Sequence, residues 1–572
     1  MSMRSWLCGL VAALACLGFG EPAAAQAPEV RPAADWIVPL SARDVGPAAT
    51  GAGVEVVALD DQLRFGGEGT VEKYRLNRTR VTTEAGLAAV STVSIEWDPS
   101  RETVAVHAIR ILRGDRVIDV LADQSFEVLR REAGLEAALM TGWLTATLQP
   151  RDLRVGDVLE TAYTIRGEGG ALAPHREALV SANYDLPIGR YRLRATWPAD
   201  RPVRIGALSP WETVQPRRVR DQWVYEVQAD DLQPVFVPED LPVRFSMIRA
   251  VQFTDHAGWG DIVGQMQPLY DRAAMLDPGS PLLAEIERIR GTHATDHDRA
   301  SAVLRLVQDE VRYLALAMGE GGYVPASADE VWRSRYGDCK GKTVLLLALL
   351  RGLGIEADAA LVSTGHGDGL DSRLPLVAWF DHVIVRVVID GQVFWIDGAS
   401  LGDRAIADVV PPPYAWALPI RPGVEALESI VQPEARVPAL DQIFEVDNTN
   451  GLDAEAPFRL ETRYAGATAL FMREAAGALS REQLLAQATA GRDPTRSVMR
   501  VTDIEPVTMR PRMCSASSPP ESPAPAGSGP PTAGWSVSPK RRSTTSSAPN
   551  AMGSSPPGPM RPIGSTIRRC AE

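Results

Sequence analysis

Apolar and polar residues alternate along much of the first half of the chain, from about Val54 to Val227. The clearest run is Thr103-Val104-Ala105-Val106-His107-Ala108-Ile109-Arg110-Ile111, followed by Gly114-Asp115 and a second alternating run at 116–120. Two such runs about a Gly-Asp pair predict a hairpin. Further period-2 segments lie at 74–83, 92–97, 143–148, 158–165, 191–197 and 222–227. Short strands with turns between them predict a β-sandwich over residues 51–240. Pro234, Pro238 and Pro242 then punctuate the chain, and beyond Trp259 the period becomes helical. Ser280 and Pro281 are a cap and a first-turn residue for a helix over 281–290. Val303, Leu306, Val307, Val311 and Leu314 share one face of a helix expected over 300–318. The change of period marks a domain boundary, and the β region is expected to fold independently of the helical region beyond it.

The strongest helical signal lies further on. Thr343, Leu346, Leu347, Leu350 and Leu353 recur at helical spacing, with Gly352 and Gly354 as a stop. Tyr336-Gly337-Asp338-Cys339-Lys340-Gly341-Lys342 precedes this run, so Cys339 falls in the first turn. Unpaired N–H groups and the positive end of the helix dipole favour an anion there, which favours a thiolate. Next come a strand at 357–363 and a pair of strands flanking Asp390-Gly391, a hairpin signal. A two-residue turn there pairs Ile389 with Gln392 and sets Ile384 opposite Asp397. His382 is then a diagonal neighbour of Asp397 on the same face. Val383, Val385, Val387, Phe394 and Ile396 occupy the other face. An inward-facing carboxylate needs a partner, and His382 is in reach.

The remaining histidines carry less. His107 and His175 stand alone and read as structural or surface residues. His293 and His297 are four apart, as zinc ligands on a helix can be, but their segment is polar and has no HExxH pattern. They read as surface residues. His366, Asp368 and Asp371 lie in a Gly- and Asp-rich loop at 365–373 that reads as solvated.

Composition changes the picture at both ends. The 572 residues carry a net charge of −13, with 45% hydrophobic and 23% charged residues. That is ordinary globular composition, and a basic face for nucleic acid is missing outside the last segment. Residues 1–25 read as a signal peptide: Arg4, an apolar stretch over 6–19, then Ala23-Ala24-Ala25. Residues 26–50, rich in Ala and Pro, read as a linker. The mature protein is expected to be periplasmic or secreted, without an integral membrane span. Lipid modification at Cys16 is the weaker alternative, because Ala13-Leu14-Ala15 matches a lipobox poorly. Cys8 and Cys16 lie in the signal, and Cys514 and Cys570 lie in the last segment. Cys339 is thus the single cysteine of the mature globular body, and a solitary thiol in an oxidising compartment favours a chemical role. A partial β region is expected over 441–508, with a strand at 458–464 and a helical piece near 467–490. From 509 to 572 Pro, Ser, Gly and Arg dominate, which reads either as a disordered tail or as out-of-frame residues replacing the end of a β domain.

Three motifs now stand in order: Tyr336-Gly337-Asp338-Cys339-Lys340, Phe380-Asp381-His382-Val383 and Phe394-Trp395-Ile396-Asp397. Together they resemble the transglutaminase-like superfamily, with its papain-like cysteine-nucleophile core, over about 255–435. The stretch from Val155 to Tyr163 resembles the β-rich domain of unknown function that precedes such cores in exported bacterial proteins. Gly341 departs from the pattern, where an acidic residue is expected. The resemblance implies an α+β fold: a β-sandwich, then a transglutaminase-like core. It also implies a catalytic set of Cys339 as nucleophile, His382 as acid–base and Asp397 as the group that orients the imidazole. Such an enzyme cleaves or transfers peptide or protein amides through a thioester and needs no metal or organic cofactor. Its expected partner is a peptide or protein substrate in the cell envelope. The alternative is a non-catalytic binding or scaffold protein of the same fold. The second oxyanion donor stays open among Tyr313, Trp332 and Tyr336.

Overall fold

The structure, a computed structural model, describes residues 27–41, 505–508, 533–537 and 53–490, apart from short stretches at 68, 133–138, 239–240, 247–248, 317–321, 434–437, 450, 452–455, 467, 470–471 and 473–478. The expected signal peptide, with Cys8 and Cys16, lies outside the described residues, as do Cys514 and Cys570. Two compact units divide at Glu434 and Ala435. No helix among the described residues is long and apolar enough to cross a membrane. The α+β class expected from the sequence is the class observed.

In the first unit the β-rich part is built on one nine-stranded sheet. Its central order is Glu102–Arg113, Val158–Gly167, Val71–Val81, Val54–Phe65, Ile188–Pro198 and Gln222–Leu232. The hairpin expected at Gly114-Asp115 forms, with Arg113 opposite Arg116. Two three-stranded sheets cover this sheet. One, made of Val93–Trp97, Glu127–Arg130 and Leu144–Leu148, packs Ile95 and Trp97 against Ile109 and Ile111. The other, made of Glu177–Ser181, Arg204–Ala207 and Ala250–Thr254, packs Val251 and Phe253 against Leu193 and Tyr225. Sheet-on-sheet layering is therefore present, but as one broad sheet carrying two small ones.

The long strand Val54–Phe65 runs through the middle and carries Asp60-Asp61-Gln62, a polar break in its apolar pattern. Asp60 and Gln62 are buried and satisfied. Arg192 Nε and Nη2 donate to Asp60 at 2.8 and 2.7 Å. Gln62 exchanges hydrogen bonds with the backbone of Val38, at 3.0 and 2.7 Å. Residues 29–41, inside the segment expected as a linker, thus lie along the sheet, with Trp36 and Ile37 against Tyr74 and Leu76. A buried ion pair is tolerable only when its remaining valences are filled, and the backbone of Val38 fills them.

The second half of the unit is built around helix Cys339–Gly352, whose residues from Gly341 to Leu350 are all buried. Helices Trp259–Ala274, Pro281–Thr292, Asp296–Glu310 and Ala328–Ser334 contribute to its surrounding core. The remaining side is a five-stranded sheet in the order Gln392–Ile396, His382–Ile389, Glu356–Val362, Trp416–Pro419, Glu428–Ser429. Gly354, at φ +84°, turns the chain after the helix. Ser280 caps helix Pro281–Thr292 as expected.

The helix expected over 300–318 instead spans Asp296–Glu310. Val311 leaves it in an extended conformation, and Arg312–Tyr313 pairs in parallel with Tyr336–Gly337. A non-local pairing thus overrides a helical periodicity that continues to Leu314.

Several contacts join the two halves across the proline boundary. Strand Ala250–Thr254, beyond Pro242, is the middle strand of its sheet. Leu139–Met140 pairs with Ala315–Leu316. The Glu177 carboxylate accepts the N–H groups of Val377 and Ala378, both at 2.7 Å. Gln252 accepts that of Leu374 at 2.9 Å.

The second unit holds a four-stranded sheet of Leu440–Val446, Phe458–Tyr464, Ala533–Val537 and Glu505–Thr508, and a helix Arg481–Ala490. One strand of that sheet comes from the segment 509–572; the rest of that segment lies outside the described residues.

Candidate active site

Asp338 starts the central helix. Its carboxylate accepts the N–H of Gly341 at 2.8 Å and pairs with Lys340. This cap fixes Cys339 as the first helical residue, half-buried and with a free thiol. Gly341 departs from the family pattern for a steric reason: a Cβ there would stand 2.9 Å from Val331 Cγ2 on helix Ala328–Ser334. A side chain at that position has to displace Val331.

The hairpin takes the expected register, with Ile389 opposite Gln392 and Val385 opposite Ile396. Val383, Val385, Val387 and Ile396 pack under the central helix. The other face is covered as well, by Ile384, Val362, Ala360, Trp395 and Ala417. His382 is the first residue of its strand and Asp397 follows the last residue of the next. His382 Nε2 lies 2.8 Å from Asp397 Oδ2. Cys339 lies close enough to the imidazole to act on its protonation. His382 and Asp397 are thus directly bonded, with Cys339 beside the imidazole.

Burial disfavours the imidazolium, but the hydrogen bonds and charges of Asp397 and Cys339 outweigh it and raise the His382 pKa from 6.5 to about 10. A cationic imidazole between a carboxylate and a thiol is the arrangement that stabilises a thiolate.

Asp397 is 5% exposed and fully partnered. Its Oδ1 accepts the Ala399 N–H at 2.8 Å, and after burial its charge is the main cause that raises the Tyr414 phenol pKa. The Tyr414 ring meets His382 edge-on at 5.8 Å. Gln308 donates to the Asp397 carbonyl at 3.0 Å and to Asp403 at 2.8 Å, tying helix Asp296–Glu310 to the turn after the strand. Lys342 is fully buried and donates to the Val311 carbonyl at 2.7 Å. Burial lowers its pKa to about 8, while the charges of Asp397 and Asp309 act the other way.

Sequence reasoning missed Gln308, Tyr414 and the buried role of Lys342. Helix periodicity placed Gln308 beside the apolar face of its helix, but its partner is 89 residues away. Tyr414 sits in a proline-rich loop with no periodicity at all. Lys342 reads as solvated because lysine is so seldom buried.

Of the three candidates for the second donor, Tyr313 is the one whose phenol feels the charge of Cys339. Burial and the negative charges of Cys339, Asp338 and Asp397 push its phenol pKa up, so the hydroxyl keeps its proton. The Trp332 ring lies under the Arg335 guanidinium at 3.6 Å, and Tyr336 is exposed. Elsewhere, His107 bonds the Arg31 carbonyl and the Thr164 hydroxyl. His297 lies against Phe394, and Asp368 pairs with Arg244. None of these joins the Cys339 group.

Comparison with known proteins agrees with this layout. Residues 285–397 match the transglutaminase-like superfamily, and residues 67–236 match DUF3857, a domain of unknown function with solved structures. No curated protein matches the chain. Among solved structures, a candidate protease from Parabacteroides distasonis is 13% identical, with a TM-score of 0.53, over 66% of this chain and 72% of that one. At that identity the likeness is one of fold. A candidate cysteine protease from Cytophaga hutchinsonii is 11% identical over 60% of this chain and 81% of its own, with a TM-score of 0.18, too low to carry an argument.

Proposed function

We propose that this chain, in which a DUF3857 domain precedes a transglutaminase-like domain, is a cysteine acyl-transfer enzyme acting on peptide or protein amides. The observation that carries the reading is His382, held by Asp397 at 2.8 Å and set beside Cys339 at the start of the central helix. In the reaction, the Cys339 thiolate adds to the amide carbonyl. The oxyanion is held by the Cys339 N–H and the Tyr313 hydroxyl. The C–N bond then breaks, His382 protonates the departing amine, and a thioester on Cys339 remains. Water or a second amine, deprotonated by the now neutral His382, resolves the thioester. Asp397 fixes the ring orientation and stabilises its cation. The signal-like residues 1–25 direct this activity to the cell envelope, where the substrate is an exposed peptide or protein.

The test is a screen of the full chain against peptide amides, with and without added primary amines, beside Cys339→Ala. Amine release or incorporation by the wild type alone is expected. No turnover above the Cys339→Ala control, across the set, favours the scaffold reading.

A further inference from the structure

A second cluster of chemistry-bearing side chains lies where the β-rich half meets the core. Strands Glu177–Ser181 and Ala250–Thr254 are antiparallel, with Glu177 opposite Thr254. The pairing continues one step further, since the Asp255 N–H donates to the Arg176 carbonyl at 3.2 Å. His175 and His256 therefore stand opposite each other just past the ladder, on one face, with rings stacked at 4.3 Å. Asp261, in the first turn of helix Trp259–Ala274, points to the same place. His175, His256 and Asp261 each bring one donor atom to within 4.8 Å of the other two.

The second layer orients the rings. His175 Nδ1 lies 3.1 Å from Asp255 Oδ1, and Asp255 is itself held by the Arg176 guanidinium at 2.9 Å. His256 Nε2 lies 3.6 Å from Glu177 Oε2, the carboxylate that accepts the N–H groups of Val377 and Ala378. Each ring so turns one nitrogen toward a carboxylate, His256 at longer than hydrogen-bond range, and leaves the other nitrogen facing away from it. On His256 that nitrogen is Nδ1, which has no partner although the residue is only 1% exposed. A buried nitrogen without a partner is costly unless something binds it. Three carboxylates (Asp255, Asp261 and Glu177) surround the two rings against one guanidinium, Arg176, so the side-chain charge of the site favours a cation.

We propose that His175 Nε2, His256 Nδ1 and an Asp261 oxygen bind a divalent transition-metal ion of the zinc type, with Asp255 and Glu177 as its outer carboxylates. Histidine nitrogens with one carboxylate oxygen suit zinc, and histidine ligands backed by carboxylates are the usual second layer. Ligand bonds of about 2.1 Å set donors roughly 3.4 Å apart, so the three groups draw in by no more than about 1.4 Å on binding. The ion ties the start of helix Trp259–Ala274 to the end of the β-rich half. Through Glu177 it also braces the turn Val377–Trp379, which leads into the strand of His382. The site is structural and takes no part in the proposed acyl transfer.

The test uses Zn²⁺ and Co²⁺ added singly to the metal-stripped full chain, in wild type, Asp261→Asn, His175→Gln, Asp255→Asn and Cys339→Ser. One equivalent of Zn²⁺ is expected in wild type and Cys339→Ser, with a raised melting temperature. Uptake is lost in Asp261→Asn and His175→Gln and is about 10- to 100-fold weaker in Asp255→Asn. The wild-type Co²⁺ spectrum, which needs no variant to fold, should show visible ligand-field bands without a thiolate charge-transfer band. Absence of uptake by the wild type, uptake unchanged in folded Asp261→Asn and His175→Gln, or a thiolate band that vanishes in Cys339→Ser overturns the proposal.

Discussion

At the scale of single residues, the site works by opposing burial with hydrogen bonds, and that opposition has a pH signature. His382 has a folded pKa of about 10 against an ordinary 6.5. Between those values the native state holds a proton that the unfolded chain has lost, so stability falls as pH rises through this window. The contribution is fully present below about 6.5 and gone above about 10. Lys342 acts in the opposite sense. Its folded pKa of about 8 lies below the ordinary 10.5, so its burial penalty is full below pH 8 and relieved as pH rises to 10.5. Comparison with a His382→Gln variant isolates the first effect. The difference in urea unfolding free energy, wild type minus variant, should shrink steadily from pH 6.5 to 10. A difference that stays flat across that range contradicts the assignment of a cationic imidazole.

At the scale of elements, Cys339 is placed by how closely two helices approach. In Gly341→Ala the new methyl meets Val331 Cγ2 at 2.9 Å, and a β-branched side chain has few rotamers into which to retreat. Overpacking of this kind costs about 1–3 kcal/mol, against about 1 kcal/mol gained by replacing a helical glycine. A net loss in denaturant stability is expected, and Val331→Ala in the same chain should restore it. Failure of that second change to rescue contradicts the contact. Elements were legible in the sequence where local pattern and local geometry coincide. The turn at Asp390-Gly391 fixes its own register, so the meeting of His382 and Asp397 followed from spacing alone. The Asp338 cap and the apolar run after it likewise announced the helix of Cys339. Distant partners decided the rest. Leu314 continues a helical face, yet its segment pairs with Tyr336–Gly337, and Asp60 and Gln62 interrupt a strand signal because Arg192 on the neighbouring strand satisfies the first and Val38, beyond the sheet, the second.

At the scale of the whole molecule, the proline-rich stretch after Gln233 separates two periodicities more cleanly than it separates two folded bodies. Strand Ala250–Thr254 lies beyond it and still forms the centre of a sheet whose other strands come before it. A fragment ending at residue 240 loses that strand and exposes Ala178, Tyr225 and others of the cluster that Val251 and Phe253 cover. A fragment of residues 27–258 keeps it. The shorter fragment is expected to show a lower melting temperature and faster proteolysis than the longer one. Equal behaviour of the two would mean that the β-rich half is complete without the strand.

The proposed acyl transfer requires Cys339 to be a nucleophile made reactive by His382. Iodoacetamide alkylation of Cys339, followed by intact mass and peptide mapping against pH, tests it most directly. In wild type the reaction should already be fast near neutral pH. His382→Ala should slow it there severalfold. Asp397→Asn should leave alkylation closer to wild type, because the thiol and the ring both remain. Wild-type alkylation no faster at neutral pH than that of an ordinary free thiol, and unmoved by His382→Ala, would make Cys339 an ordinary thiol under a helix and contradict the account.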